Sequence, residues 1–191
     1  MNNLERLGAS FRDPSGFLFK RDGVLYRQVN TSYRKAYDHL MSSGLYDALT
    51  ASHKMVAHTE TNEPPAEPDR AYKVIQPELI PMISYPYEWS FSEMKDAALL
   101  TLEVGRMALQ KNMILKDASA YNIQFLNGKP ILIDTLSFDI YHEGQLWDGY
   151  RQFCQHFLAP LALASLVDIR LMQLMRVYID GIPLDLASEL L

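Results

Sequence analysis

The sequence predicts an α+β fold in which a small antiparallel, strand-rich part precedes a mostly helical one. Three patterns carry this: two β-rich runs around a tight turn near the N-terminus, a second hairpin pattern past the middle, and helical apolar spacing beyond it. At 191 residues and 48% hydrophobic content, the chain can bury a core as one domain or one two-part unit.

Taken in order, Asp13-Pro14-Ser15-Gly16 reads as a loop. Gly16 to Lys20 and Val24 to Val29 read as strands joined by Arg21-Asp22-Gly23, because Asp-Gly accepts the positive φ of a hairpin turn. A helix is expected from Thr31 or Ser32 to about Gly44. Thr59 to Arg70, with three prolines and three glutamates, reads as a mobile loop. Tyr72 to Ile75 and Leu79 to Tyr85 are expected strands with prolines at their ends. Ser90-Phe91-Ser92-Glu93 fits a capping box, opening a helix with Ala97, Leu100, Val104 and Met107 on one face.

Two short strands follow, Ile123 to Leu126 and Ile131 to Ile133, around Asn127-Gly128-Lys129-Pro130. Helices are then expected near Leu146 to Leu158 and Asp168 to Tyr178, the second carrying Leu171, Leu174, Met175 and Tyr178 at i, i+3, i+4, i+7. The expected division is 1–89, strand-rich with one helix and a connecting link, and 90–191, helical with the second hairpin.

Composition narrows the function. Against 18 basic residues stand 23 acidic ones, a net charge of -5, which opposes a role in tracking nucleic-acid phosphates. Cys154 is the single cysteine, so a reducing compartment is the natural setting. The polar start, Met1-Asn2-Asn3-Leu4-Glu5-Arg6, lacks the apolar run of a signal peptide, and no stretch reaches membrane-spanning length. A soluble, cytoplasmic protein with no membrane partner is expected. The glycines never form Gly-x-Gly and no Walker A motif appears, which counts against a Rossmann site or a methyl-transfer cofactor loop in this chain.

The chemistry concentrates in Leu115 to Ile123 and Pro130 to Phe138. A loop holds Asp117 and Asn122, a tight hairpin follows, and Asp134 ends an apolar strand. A hairpin folds back on itself, so Asp134 returns near Asn122 and gathers hard oxygen ligands suited to Mg2+. Asp117 would project beside the metal, where a substrate hydroxyl could hand it a proton.

This order of residues resembles the catalytic and metal loops of the protein-kinase superfamily, closest in style to the small-molecule phosphotransferases. The resemblance implies a two-lobed, protein-kinase-like fold with Tyr85-Pro86-Tyr87-Glu88-Trp89 as the hinge. It implies Asp117 as catalytic base or substrate orienter and Asn122 and Asp134 as metal ligands. It further implies Ser15, Gly16, Arg27 and Glu88 as nucleotide-binding residues, with Mg2+ and ATP as cofactors and a small-molecule or carbohydrate hydroxyl as acceptor.

Departures from that pattern are substantial. Leu115 stands where histidine is usual, and Thr135-Leu136 follow Asp134 in place of Phe-Gly. Arg27 or Gln28 falls where the phosphate-gripping lysine belongs, and the next helix has no glutamate to pair with it; arginine's planar fork does not replace an ammonium. These departures also fit a catalytically inactive, kinase-like binding or regulatory domain.

Ile114 to Phe125 and Tyr150 to Leu161 moreover look like the N-terminal region of bacterial proteins classed as SAM-dependent methyltransferases, some of them nodulation-related. That similarity implies a longer native chain with a C-terminal methyltransferase domain. His53 and His58 lack the partners of a zinc site. His156 reads as a core histidine with a satisfied ring. Arg151 and Asp148 either brace the catalytic loop or form a surface pair, and Tyr85, Tyr87 and Trp89 either stack on an adenine or simply pack.

Overall fold

The computed structural model describes residues 4–8 and 13–191. The N-terminal Met1-Asn2-Asn3 falls outside them. Five strands form one antiparallel sheet in the order β1-β2-β3-β5-β4, with β1 Leu4–Arg6, β2 Gly16–Arg21, β3 Val24–Asn30, β4 His58–Thr61 and β5 Ala71–Pro77. The β2–β3 hairpin turns where the sequence requires it. Asp22 and Gly23 adopt φ of 49° and 84°, the left-handed pair that matches strand twist in a two-residue turn.

Between β3 and β4 the chain forms α1 (Arg34–Ser42) and α2 (Leu45–Ala51), broken at Gly44 with φ 78°. The second of these helices was not expected. It buries Leu45, Tyr46 and Leu49. The segment expected as a mobile loop is partly ordered: β4 takes His58–Thr61, and buried Gln28 holds the loop's far end. The Gln28 amide accepts from the Glu67 N–H at 2.8 Å and donates to the Glu67 carbonyl at 3.1 Å. A side-chain amide thus does for the loop what a neighbouring strand would do. Leu79 to Tyr85 is not a strand but irregular chain. Prolines 77, 81 and 86 remove the donors a ladder would need.

Helix α3 (Phe91–Leu109) opens on the expected capping box, with Ser90 accepting from the Glu93 N–H and Glu93 accepting from the Ser90 N–H. It leads to β6 (Met113–Leu115), which pairs with β9 (Phe138–Ile140) and encloses the hairpin of β7 (Ile123–Leu126) and β8 (Lys129–Leu132). The expected 146–158 and 168–178 helices take other forms. Helix α4 (Tyr150–Phe153) widens into a π-helical segment, Cys154–Leu158, and continues as α5 (Ala159–Leu166). Ile169–Arg176 winds as a 3-10 helix, and α6 (Leu184–Leu190) closes the chain.

The largest core cluster joins Leu40, Leu45, Leu49 and Met55 with Met94, Val104, Phe138, Phe157, Leu163 and Met175. It therefore crosses the 89/90 division instead of respecting it. A hydrogen-bonded bridge reinforces this: Val56 N–H donates to Leu132 C=O, and Leu132 N–H donates to Lys54 C=O. Beneath the sheet, Val29, Tyr33, Tyr37, Ile75 and Leu136 form a second cluster.

Candidate functional site

Strand β3 aims Arg27 at the end of the β7–β8 hairpin. Its guanidinium lies 2.7 Å from Asp134 and 3.2 Å from Asp13, and its side chain is only 9% exposed. Alternation along β3 sends Gln28 the other way, into the Glu67 loop. Of the two positions left open by the sequence, Arg27 faces the candidate site.

Asp134 is doubly engaged, because the same oxygen that meets Arg27 also accepts from the Leu136 N–H at 2.8 Å. Asn122 donates its amide to Ser137 at 3.2 Å. Lys116 and Asp117 both donate backbone N–H groups to the Ser137 carbonyl, at 2.8 Å and 3.4 Å. The turn from Asp134 to Ser137 thus contacts the Asp117 backbone and the Asn122 side chain. Asp117 itself accepts from the Ser119 N–H at 3.0 Å.

The other candidates fall as follows. Ser15 is buried, and its hydroxyl accepts from Lys116 Nζ at 2.8 Å. That ammonium also lies 4.6 Å from the centre of the Tyr33 ring. Gly16 sits so tightly that an added Cβ would meet the Gln28 carbonyl at 2.1 Å and Leu136 Cδ1 at 2.8 Å. Glu88 is exposed, and its carboxylate caps the turn Pro86–Glu88 by accepting from the Tyr85 N–H at 2.8 Å. Trp89 packs edge-on against Phe125, the packing role.

Would Mg2+ and ATP fit among these residues? Gly16 of the loop expected to cover phosphates is packed near Leu136, Ser15 is tied to Lys116, and Asp134, the expected metal ligand, is paired with a guanidinium. Tyr33 spans the same gap, donating its hydroxyl to the Phe138 carbonyl at 2.7 Å; burial pushes that phenol's pKa well up, so it stays protonated. Among the described residues no group of three His, Cys, Asp or Glu side chains is placed to hold a metal. In this arrangement Asp134 and Ser15, the expected metal and nucleotide contacts, are engaged by the chain's own Arg27 and Lys116.

A pocket of about 460 Å³ lies on the other side of the Asp117 loop. Tyr85 and Tyr87 come from the capped turn, Ser119 and Tyr121 from the loop, Gln152 and His156 from the widened helix, and Ile179 and Asp180 from the chain beyond it. Its walls are fastened from behind. Gln124 clamps Ser84 by accepting from its N–H and donating to its C=O, both at 2.9 Å. Gln152 accepts from the Ala118 N–H at 2.7 Å, and the Trp147 indole donates to the Leu115 carbonyl at 2.6 Å. Gln152 and Trp147, not Arg151 and Asp148, brace the loop; Asp148 accepts from Gln145 instead.

His156 is 3% exposed, yet its ring is not satisfied, since Nδ1 has no partner. Burial lowers its pKa against the opposing pull of Asp117 and Asp180, so the ring is neutral at neutral pH. Sequence reasoning missed this pocket because its residues are scattered from 85 to 180.

The chain is similar to the nodulation protein NoeA of Rhizobium meliloti (strain 1021). The two are 36% identical over 185 residues, covering 93% of this chain. The alignment takes in 37% of the relative, so the chain spans little more than a third of that protein's length. No family model matches the chain. Among the described residues no helix is long and apolar enough to cross a membrane.

Proposed function

We propose that this chain is a non-catalytic, kinase-shaped binding domain of a longer, nodulation-related protein whose methyl-transfer chemistry resides elsewhere. The observation that carries this reading is the Asp13–Arg27–Asp134 ion triad, which puts a fixed guanidinium where a phosphotransferase would need its metal. The length of the relative supports the domain's place in a larger protein. The Tyr85–Asp180 pocket supplies a binding site that needs neither nucleotide nor metal.

Calorimetric titration of the chain with ATP, with and without Mg2+, tests the reading. No heat of binding is expected in either case. Saturable, Mg2+-dependent ATP binding would overturn it.

A second reading, an active phosphotransferase, is supported by one observation: the Asp117 backbone and the Asn122 amide both bond Ser137, three residues after Asp134. It requires the same titration to show binding, together with slow phosphate release that Asp117→Ala abolishes.

A further inference from the structure

We propose that the pocket beside the Asp117 loop binds a small, free organic ammonium ion, seated against Tyr85, Tyr87 and Tyr121 and neutralised by the Asp180 carboxylate. This rests on reading the chain as a binding domain.

Charge selects the class of ligand. Asp180 supplies a carboxylate to the lining, which holds neither lysine nor arginine. Asp13 and Asp134 share Arg27, whereas Asp180 forms no ion pair among the described residues. Such a wall repels phosphates and carboxylates and draws cations. A metal ion is poorly served by one carboxylate, and among the described residues no group of three His, Cys, Asp or Glu side chains is placed to hold one.

The rings favour an organic cation. Tyr85 and Tyr87 stack face to face, with ring centres 5.4 Å apart and planes within 4°, so the pair presents an aromatic slab at the rim. Tyr121 stands edge-on to His156, with centres 6.1 Å apart and planes at 86°, and makes a second aromatic wall. The face of an aromatic ring carries the negative side of its quadrupole and attracts an ammonium lying over it. Burial, then Tyr87, Asp180 and Tyr85, raise the pKa of Tyr121, so the three phenols and the carboxylate act across one shared space. That space, about 460 Å³, accommodates an alkylammonium ion. A neutral ligand uses the rings but leaves the charge of Asp180 unanswered.

The walls are fixed before anything binds. Gln124 clamps Ser84, and Glu88 accepts from the Tyr85 N–H. The Ser119 hydroxyl accepts from the Tyr121 N–H at 3.2 Å. Just past Asp180, Gly181 N–H donates to the Tyr178 carbonyl and Ile182 N–H to the Gln155 carbonyl, both at 3.0 Å. A preformed site loses little conformational freedom when its ligand arrives.

The test is an NMR titration of the chain, labelled at tyrosine, with choline chloride and with ethanolamine hydrochloride. Neohexanol, which has the shape of choline without its charge, and phosphocholine serve as contrasts. Saturable shifts of the Tyr85, Tyr87 and Tyr121 signals are expected with at least one ammonium ion, and much weaker binding with both contrasts. Asp180→Asn, at an exposed position, should weaken ammonium binding about fivefold and leave that of neohexanol unchanged. Tyr85→Leu, also exposed, should weaken it severalfold, while Tyr85→Phe keeps the ring and the affinity.

Silence from both ammonium ions, equal affinity for neohexanol, or binding indifferent to Asp180→Asn would overturn the proposal. Phosphocholine binding as tightly as choline would give the site to a phosphate-bearing headgroup and overturn it too. ATP with Mg2+, titrated in parallel, reports on the Arg27–Asp134 side alone. Nucleotide binding that leaves the pocket signals unmoved would defeat the non-catalytic reading but not this one.

Discussion

Replacing Arg27 by methionine keeps most of the side-chain volume and removes the charge. The guanidinium lies 2.7 Å from Asp134 and 3.2 Å from Asp13, and Arg27 and Asp134 are only 9% and 14% exposed at their side chains. Coulomb attraction at such distances is offset by desolvation, so the pair's net worth is small. Its disruption is another matter, because a carboxylate would be left buried without its cation, at a cost of about 3–5 kcal/mol. For a domain of this size that corresponds to a fall in Tm of roughly 10 °C. Asp134→Asn leaves Arg27 still paired with Asp13, so a smaller loss of about 1–3 kcal/mol is expected. The double variant Arg27→Met/Asp134→Asn removes both charges of the closer pair, leaves only the more exposed Asp13 without its cation, and should recover much of the stability. Urea denaturation followed by the fluorescence of Trp89 and Trp147 measures all four corners of the cycle. If Arg27→Met alone comes within about 0.5 kcal/mol of the parent, the triad is not a structural lock and the reasoning fails.

Three further expectations come from other parts of the molecule. Burial depresses the pKa of His58 to about 4, while its ring meets the Tyr37 hydroxyl at 3.0 Å. An unfolded histidine takes up its proton near pH 6.5 and the folded one only near 4, so stability falls as pH drops through that window and is unaffected above it. The loss is at most about 3 kcal/mol, and denaturation midpoints for His58→Gln should show a flatter pH profile between those limits. Gly181→Ala should destabilise by at least about 1–3 kcal/mol, since φ is +94° and a Cβ would lie 2.6 Å from that of Gln155; thermal melts measure it. Ser90→Ala should cost about 1 kcal/mol by removing a cap of α3, with Ser90→Asn close to neutral in the same melts.

Local chemistry was readable where a few residues dictate a conformation. Asp22-Gly23 and Asn127-Gly128 both adopt the positive φ pairs their hairpins need, and Ser90 and Glu93 exchange caps as their spacing requires. What the sequence hid depends on distant partners. Strand β4 is short and polar, and is held by β5 and by the Tyr37–Glu60 and Tyr46–His58 hydrogen bonds. Met113 to Leu115 reads as a run of three apolar residues and becomes a strand only when Phe138–Ile140 returns to it.

At the site, the return of the chain beside Asn122 was legible because a hairpin brings its ends together, as in the Ile133 N–H to Asn122 carbonyl bond. Whether Arg27 or Gln28 faced it depended on strand parity, which one residue of register reverses. The pocket around His156 was opaque, because four separate chain segments meet there and none announces the others.

The wide turn at Cys154–Leu158 carries a consequence for anyone shortening or splicing this helix. It frees the Gln155 carbonyl to accept from Ile182 N–H at 3.0 Å, so an irregularity in winding is what docks the tail of the chain. Deleting one residue there would restore regular pitch and return the Gln155 carbonyl to the helix's own ladder. Ile182 would lose its acceptor. The extra residue works as a spacer in the gearing between helix and tail, and point substitutions are the safer way to alter this wall.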